Sequence, residues 1–200
     1  MTLDDLYHRA WRSGPNVGEH CPTLRLLAME CRHVVEFGVN GGVSTTALLA
    51  GQPDRLTSYD VRVCPSVEPL RAVAGHTQFE FVQADSLTIG IAPCDLLMID
   101  SHHTFVQLSA ELERHCHQVN FWIVLHDTVT FGDTGEDGGR GLGAAIGEFL
   151  ARHHEWTLAV EYRNSHGLTI LRRRGRDRTR GARAARSAPA TSPASPASTG

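Results

Sequence analysis

Val34-Val35-Glu36-Phe37-Gly38-Val39-Asn40-Gly41-Gly42-Val43-Ser44-Thr45-Thr46 is the stretch that decides the fold. A short apolar run ends in an acid. A glycine-rich turn follows, and then Ser-Thr-Thr opens a second apolar segment. That order predicts a strand, a tight loop and a helix N-terminus. In an open α/β sheet, this first turn is where a nucleotide-like ligand sits. Gly38 and Gly42 allow a close backbone approach, and the helix start offers free N–H groups.

Outward from this stretch the same alternation repeats. A capped helix is expected over residues 2–13, with Thr2 and Asp5 as the capping pair, and a second over 22–31 with Pro22 in its first turn. After the strand 33–37 and the helix 43–50, Gly51-Gln52-Pro53 is a stop. Strands are expected at 56–61 and 77–83, separated by a helix at 65–75. Cys94–Ile99 and Phe121–Leu125 are uninterrupted apolar runs, as in central parallel strands buried on both faces. An amphipathic helix at 104–118 lies between them, with Phe105, Leu108, Leu112 and Cys116 inward. His115, His117, His153 and His154 are expected to face solvent. A glycine-rich loop, 129–141, precedes a helix at 142–153. Strands at 156–162 and 168–172 close the fold as a hairpin about Asn164-Ser165-His166-Gly167. The fold class is α/β, a Rossmann-like doubly wound sheet of seven strands, mostly parallel with a C-terminal antiparallel hairpin strand.

Composition narrows the function classes. The 200 residues are 41% apolar and 20% charged, the profile of one soluble globular domain. No apolar run approaches a membrane span, and the acidic N-terminus does not read as a signal peptide, so a cytoplasmic location is expected. Five cysteines without a C-x-x-C pair read as buried free thiols. All 19 basic residues are arginine, so a lysine base or Schiff base is excluded. The first 174 residues, the expected folded domain with residues 1–32 as N-terminal helices, carry 14 arginines against 21 acids. Residues 175–200 carry five arginines against Asp177, with almost no apolar bulk, and are expected to be disordered. That tail has no aromatic residue for base stacking, and nucleic acid is not an expected partner.

Acids stand at the ends of successive strands: Asp60, Asp85, Asp100 and Asp127. Asp60, 18 residues beyond Gly42, suits ribose hydroxyls, but the glycine spacing alone is weak. Glu36 sharpens it, since an acid beside the loop disfavours a pyrophosphate and suits a cationic amino-acid ligand. Glu36-Phe-Gly-Val-Asn-Gly-Gly resembles the first motif, E-x-G-x-x-x-G, of class I S-adenosylmethionine-dependent methyltransferases. Asp60 and Ala84-Asp85-Ser86 are similar to the second and third motifs. Ile99-Asp100-Ser101-His102-His103 with His126-Asp127-Thr128 brings the likeness nearest to the small bacterial branch that includes cephalosporin-hydroxylase-like and sugar or macrolide O-methyltransferases.

The resemblance implies that S-adenosylmethionine is the cofactor and that Glu36, Gly38 and Gly42 line its methionine end. It places Asn40 and Ser44 of the same loop, and Asp100, in cofactor contact, with Asp60 on the ribose and Asp85 with Ser86 near the adenine. Asp100 and Asp127 fall on two ligand positions of metal-dependent catechol-type enzymes. That implies a divalent ion, Mg²⁺ foremost, with His126 as the third ligand because Thr128 replaces an asparagine. His103 stands where that family has a lysine base, and with Asp100 it is the expected catalytic pair. The expected activity is methyl transfer to a hydroxyl of a small molecule, sugar or secondary metabolite. The alternatives are a metal-free site, a non-catalytic or regulatory nucleotide-binding module, and hydroxylase-like chemistry on the same scaffold. Self-association into a homo-oligomer is left open, and no membrane partner is expected.

Overall fold

The computed structural model describes residues 1–12 and 16–175. The expectation for the Arg-rich tail lies outside the described residues from position 176 onward. Seven strands form one sheet: β1 (His33–Phe37), β2 (Arg55–Asp60), β3 (Gln78–Gln83), β4 (Cys94–Ile99), β5 (Val119–His126), β6 (Trp156–Tyr162) and β7 (Leu168–Arg173). Six α-helices accompany them: α1 (Leu3–Trp11), α2 (Cys21–Ala28), α3 (Val43–Ala50), α4 (Val67–Val73), α5 (Phe105–His115) and α6 (Leu142–Arg152). The strand order is β3-β2-β1-β4-β5-β7-β6, with β7 antiparallel to both β5 and β6 and the remaining pairs parallel. This is the doubly wound arrangement expected from the sequence.

Strand periodicity sorts the core into two layers. Val34, Leu96, Met98 and Val124 point to one face and pack with Leu24, Leu48 and Leu49 of α2 and α3. Val35, Phe37, Leu97, Ile99, Ile123 and Leu125 point to the other, against Leu108, Leu112, Leu142 and Phe149 of α5 and α6. Helix α3 is buried from Ser44 to Leu49 because α1 and α2 cover the side the sheet does not. Thr2 and Asp5 form the predicted capping box on α1. The five cysteines are free and buried, as expected.

Two helices end three residues before the expected stop. Helix α2 ends at Ala28, and the chain turns through Met29 into β1. Helix α5 ends at His115 and tightens into a 3-10 turn over Cys116–Gln118, which carries the chain directly into β5.

The register places the site. Phe37 pairs with both Tyr59 and Ile99, Ile99 pairs with Leu125, and Asp60 pairs with Gln83. The residues that follow therefore emerge in one row along the sheet's C-terminal edge. The chain winds from β1 to β3 in one direction and from β4 to β5 in the other. The crevice opens between β1 and β4, the switch point where such sheets bind ligands.

Candidate active site

A cleft of 760 Å³ runs along this row. Phe37, Gly38, Val39, Asn40, Gly41, Val43 and Ser44 line it from the β1–α3 turn, and Tyr59, Asp60, Val61 and Arg62 from the end of β2. Ala84, Asp85 and Ser86 follow β3, Asp100 to His103 follow β4, and Gln107, Asp127 and Glu136 complete the wall. Asn16 and Val17 reach it from the N-terminal segment. Of the expected cofactor residues, Gly38, Asn40, Ser44, Asp60, Asp85, Ser86 and Asp100 therefore share one cleft. Glu36 and Gly42 do not line it.

Gly38 is needed for two reasons. Its φ is +86°, and a Cβ there would lie 2.0 Å from the Asp100 carbonyl oxygen. The backbones of β1 and β4 meet at this point, with Asp100 N–H donating to the Phe37 carbonyl at 2.9 Å. The glycine of the first motif thus lets the loop leave the sheet while Asp100 stays beside it.

Glu36 sits behind the loop rather than in the cleft. It is 0% exposed and accepts three hydroxyl hydrogen bonds, from Ser44 at 2.6 Å, Thr45 at 2.8 Å and Ser58 at 2.6 Å. Those partners tie the first turn of α3 to β1 and β2, close to the positive end of the helix. Burial pushes its pKa up to about 7, against the pull of the three hydroxyls. The acid before the glycine loop is a strut, and alternation explains it, since position 36 points toward the α3 layer.

Asp60 is 8% exposed and holds the loop from the other side. Its Oδ2 accepts the backbone N–H groups of Val39 at 2.9 Å and Asn40 at 3.1 Å, and its Oδ1 accepts that of Arg62 at 2.9 Å. Burial works against ionisation, but these N–H groups hold the carboxyl below its usual range. Asp85 is exposed at the cleft edge, and its Oδ1 caps the turn at Leu87 N–H at 2.8 Å.

The second centre lies at the β4 and β5 ends. His103 Nε2 is 3.3 Å from Asp100 Oδ1 and 3.0 Å from Asp127 Oδ2. His126 Nδ1 is 3.3 Å from Asp100 Oδ1 and 3.5 Å from Asp127 Oδ1. Two carboxylates are thus bridged by two imidazoles. Burial alone would lower the histidine pKa values, but Asp100 and Asp127 carry His103 up to about 10 and His126 up to about 9. Burial would likewise raise the two aspartates, and the same hydrogen bonds hold both below the ordinary carboxylate range. The free imidazole base expected from the sequence is, in this setting, an imidazolium at neutral pH. The ring of Phe131 stacks flat on His103, with centroids 4.8 Å apart. Asp127 itself adopts a left-handed φ of +59°, which aims its side chain back across the strand ends.

The expected metal ligands divide. Asp100, His103 and Asp127 present one ligand atom each within 4.8 Å of one another. The side chain of His126 is fully buried and is absent from the cleft lining. Thr128 Oγ1 accepts a hydrogen bond from Thr169 at 2.9 Å.

Loop 129–141 is fastened to this centre rather than standing free. Glu136 N–H donates to the His103 carbonyl at 3.0 Å, and Glu136 Oε1 accepts from His103 N–H at 2.7 Å. The same oxygen lies 3.2 Å from His102 Nε2. The loop carries three acids, Asp133, Glu136 and Asp137, and of these only Glu136 lines the cleft.

One group escaped the sequence reading. Glu111, 0% exposed, accepts from Ser86, Ser101 and Gln107. His115, expected in solvent, is 1% exposed, with Nε2 2.9 Å from the Ser86 carbonyl and its ring edge-on to Phe37. Both belong to the stripe 108–111–112–115, the helical spacing that the apolar residues alone already traced. His117 and His154 are exposed, and His153 is half-buried against Phe149.

No protein-family model matches the chain, and no curated protein matches it by sequence. Solved structures do match by shape. Cofactor-bound Rv0187 from MTB superposes with a TM-score of 0.60 at 20% identity, covering 86% of this chain and 88% of that one. The chain has the fold of S-adenosylmethionine-dependent methyltransferases. The O-methyltransferase TomG from Streptomyces achromogenes, solved with SAM, matches at TM-score 0.58 and 19% identity over 86% of this chain and 89% of its own. N-methyltransferase NodS from Bradyrhizobium japonicum WM9, in complex with S-adenosyl-l-homocysteine, matches at 0.61 and 16% identity, with 86% and 98% covered. Methyltransferases of oxygen and of nitrogen thus share this architecture. No described helix is long and apolar enough to cross a membrane.

Proposed function

We propose that the chain transfers a methyl group from S-adenosylmethionine to a hydroxyl of a small molecule, sugar or secondary metabolite. The observation that carries this reading is the row of Asp60, Asp85, Asp100 and Asp127 along one cleft, opened by the Gly38 turn. The residues fit such a cofactor. Asp60 accepts three backbone N–H groups, which leaves about one of a carboxylate's roughly four acceptor sites for a ribose hydroxyl. Tyr59, half-buried on the cleft wall, offers aromatic surface to a base, and Asp100 lies beside Gly38 where a cationic amino acid or sulfonium gains from its charge. The bound cofactor supplies an already activated methyl.

The chain's own contribution is placement and charge. An acceptor hydroxyl entering between Asp100 and Asp127 donates its hydrogen bond to a carboxylate, and Asp100 takes its proton as the oxygen is alkylated. His103 and His126 keep both carboxylates ionised and aligned. Alignment of the two reactants supplies much of the acceleration in such a transfer. Magnesium fits this centre poorly. That ion prefers an all-oxygen shell, whereas the converging set is two carboxylates and one imidazole, and both carboxylates already hold imidazole nitrogens.

The test is calorimetry with S-adenosylhomocysteine, followed by a search of hydroxylated acceptors for a product about 14 Da heavier. Binding by the wild type and at least about tenfold weaker binding by Asp60→Ala support the reading. Absence of binding at millimolar ligand overturns it. Product formation that survives dialysis against EDTA supports the metal-free centre, and its loss with recovery on Mg²⁺ refutes it.

A further inference from the structure

We infer that Glu111 sets the base specificity of the cleft by drawing the hydroxyl protons of Ser86 and Ser101 away from the ligand. The inference rests on the cleft being the S-adenosyl site, and it concerns which base that site admits.

The argument is one of donor and acceptor bookkeeping. Burial raises the Glu111 pKa against the pull of its hydrogen bonds from Ser86, Ser101 and Gln107; once ionised, the carboxylate only accepts, so every partner must donate. Ser86 Oγ lies 2.6 Å from Glu111 Oε1, and Ser101 Oγ lies 2.8 Å and 2.9 Å from its two oxygens. A serine hydroxyl has one hydrogen, and in both residues it is committed to Glu111. Gln107 Nε2 donates to Glu111 Oε1 at 3.0 Å and to Ser86 Oγ at 3.1 Å, which fixes the orientation of its amide. The reverse amide orientation would set its carbonyl against the carboxylate. Ser86 and Ser101 both line the cleft, and each is left with acceptor capacity only. Two hydroxyls that look amphoteric in the sequence are thus fixed in one sense by the carboxylate beneath them.

An aromatic wall stands next to this cluster. His115 joins the two, with Nε2 2.9 Å from the Ser86 carbonyl and its ring 4.9 Å from that of Phe37. Phe37 is wholly buried and meets Tyr59 edge to face, backing the half-buried Tyr59 ring that lines the cleft. A flat base lying against Tyr59 meets oxygens with no hydrogen to give. An exocyclic amino group, as on adenine, is satisfied there. A carbonyl at the same position, as on hypoxanthine, faces lone pairs and is desolvated without a partner.

Titration calorimetry at pH 8 with S-adenosylhomocysteine and with S-inosylhomocysteine tests this. The wild type should prefer the adenine ligand by about 10- to 100-fold, the range for a site left with an unpaired polar contact. Glu111→Gln replaces one acceptor by an N–H donor, which obliges a serine to turn its hydrogen toward the cleft. The preference should then fall to within about threefold. Ser101→Ala serves where the Glu111→Gln variant fails to fold by circular dichroism, and it should lower the preference by removing one acceptor. Equal preference in the wild type and either folded variant overturns the inference, as does a wild type that binds both ligands alike. A wild type that binds neither ligand overturns the cofactor reading itself, which is a separate result.

Discussion

Replacing Glu36 by glutamine should flatten the dependence of folding stability on pH between 5 and 8. Glu36 is wholly buried, and burial raises its pKa from 4.5 to about 7. A folded-state pKa above the unfolded one means that the native protein binds the proton more tightly. Stability linked to this group is therefore complete below pH 4.5 and is lost as pH rises through 7. Between pH 5 and pH 8 the loss amounts to about 2 to 3 kcal/mol, at 1.36 kcal/mol per pKa unit. Glutamine carries no such proton, and Ser44, Thr45 and Ser58 are hydroxyls that can turn to accept from its amide. Urea unfolding of both proteins at pH 5, 6, 7 and 8 isolates the effect, because the other titrating groups cancel in the difference. The variant should gain on the wild type by about 2 to 3 kcal/mol across that range. A difference between the two proteins that is constant within about 0.5 kcal/mol would refute the picture of a buried, reluctantly ionised strut.

Three further outcomes follow from the same geometry. Gly38→Ala places a methyl 2.0 Å from the Asp100 carbonyl at a positive φ, and should destabilise the fold by about 2 to 4 kcal/mol in urea unfolding; a loss under about 0.5 kcal/mol would show that β1 and β4 separate freely. The raised pKa values of His103 and His126 contribute stability that is complete below pH 6.5 and disappears as pH passes about 9 and 10, so the wild-type melting temperature should fall from pH 7 to 10. Asp127→Asn should weaken that slope, and an unchanged slope would place the histidine protons elsewhere. Leu112→Ala empties a fully buried position on α5 and should cost about 2 to 5 kcal/mol by the same unfolding measurement.

Much of this protein was legible in its sequence. The period of the apolar residues determined the elements. The unbroken runs at 94–99 and 121–125 determined a parallel sheet buried on both faces, and the acids at 60, 85, 100 and 127 marked its C-terminal edge. These features are local, so a chain read in one dimension reveals them. Roles were less legible, because a role depends on what lies across a gap in space. Glu36 looked like a ligand residue and is a strut, since alternation turns it toward α3 and the hydroxyls of Ser44, Thr45 and Ser58 are there to receive it. His103 looked like a neutral base, but its pKa is raised, because Asp100 lies 3.3 Å from it and parallel pairing of β4 with β5 brings Asp127 to 3.0 Å. His115 was expected in solvent and Glu111 carried no expectation, yet the sheet face they press on ends in Ser86 and Ser101 rather than in more leucine. The sequence by itself determined the scaffold and the row in which chemistry sits. Tertiary structure alone decided protonation and the division between residues that touch the cleft and residues that hold it, because pKa values and hydrogen-bond direction are set by neighbours brought together only when the sheet closes.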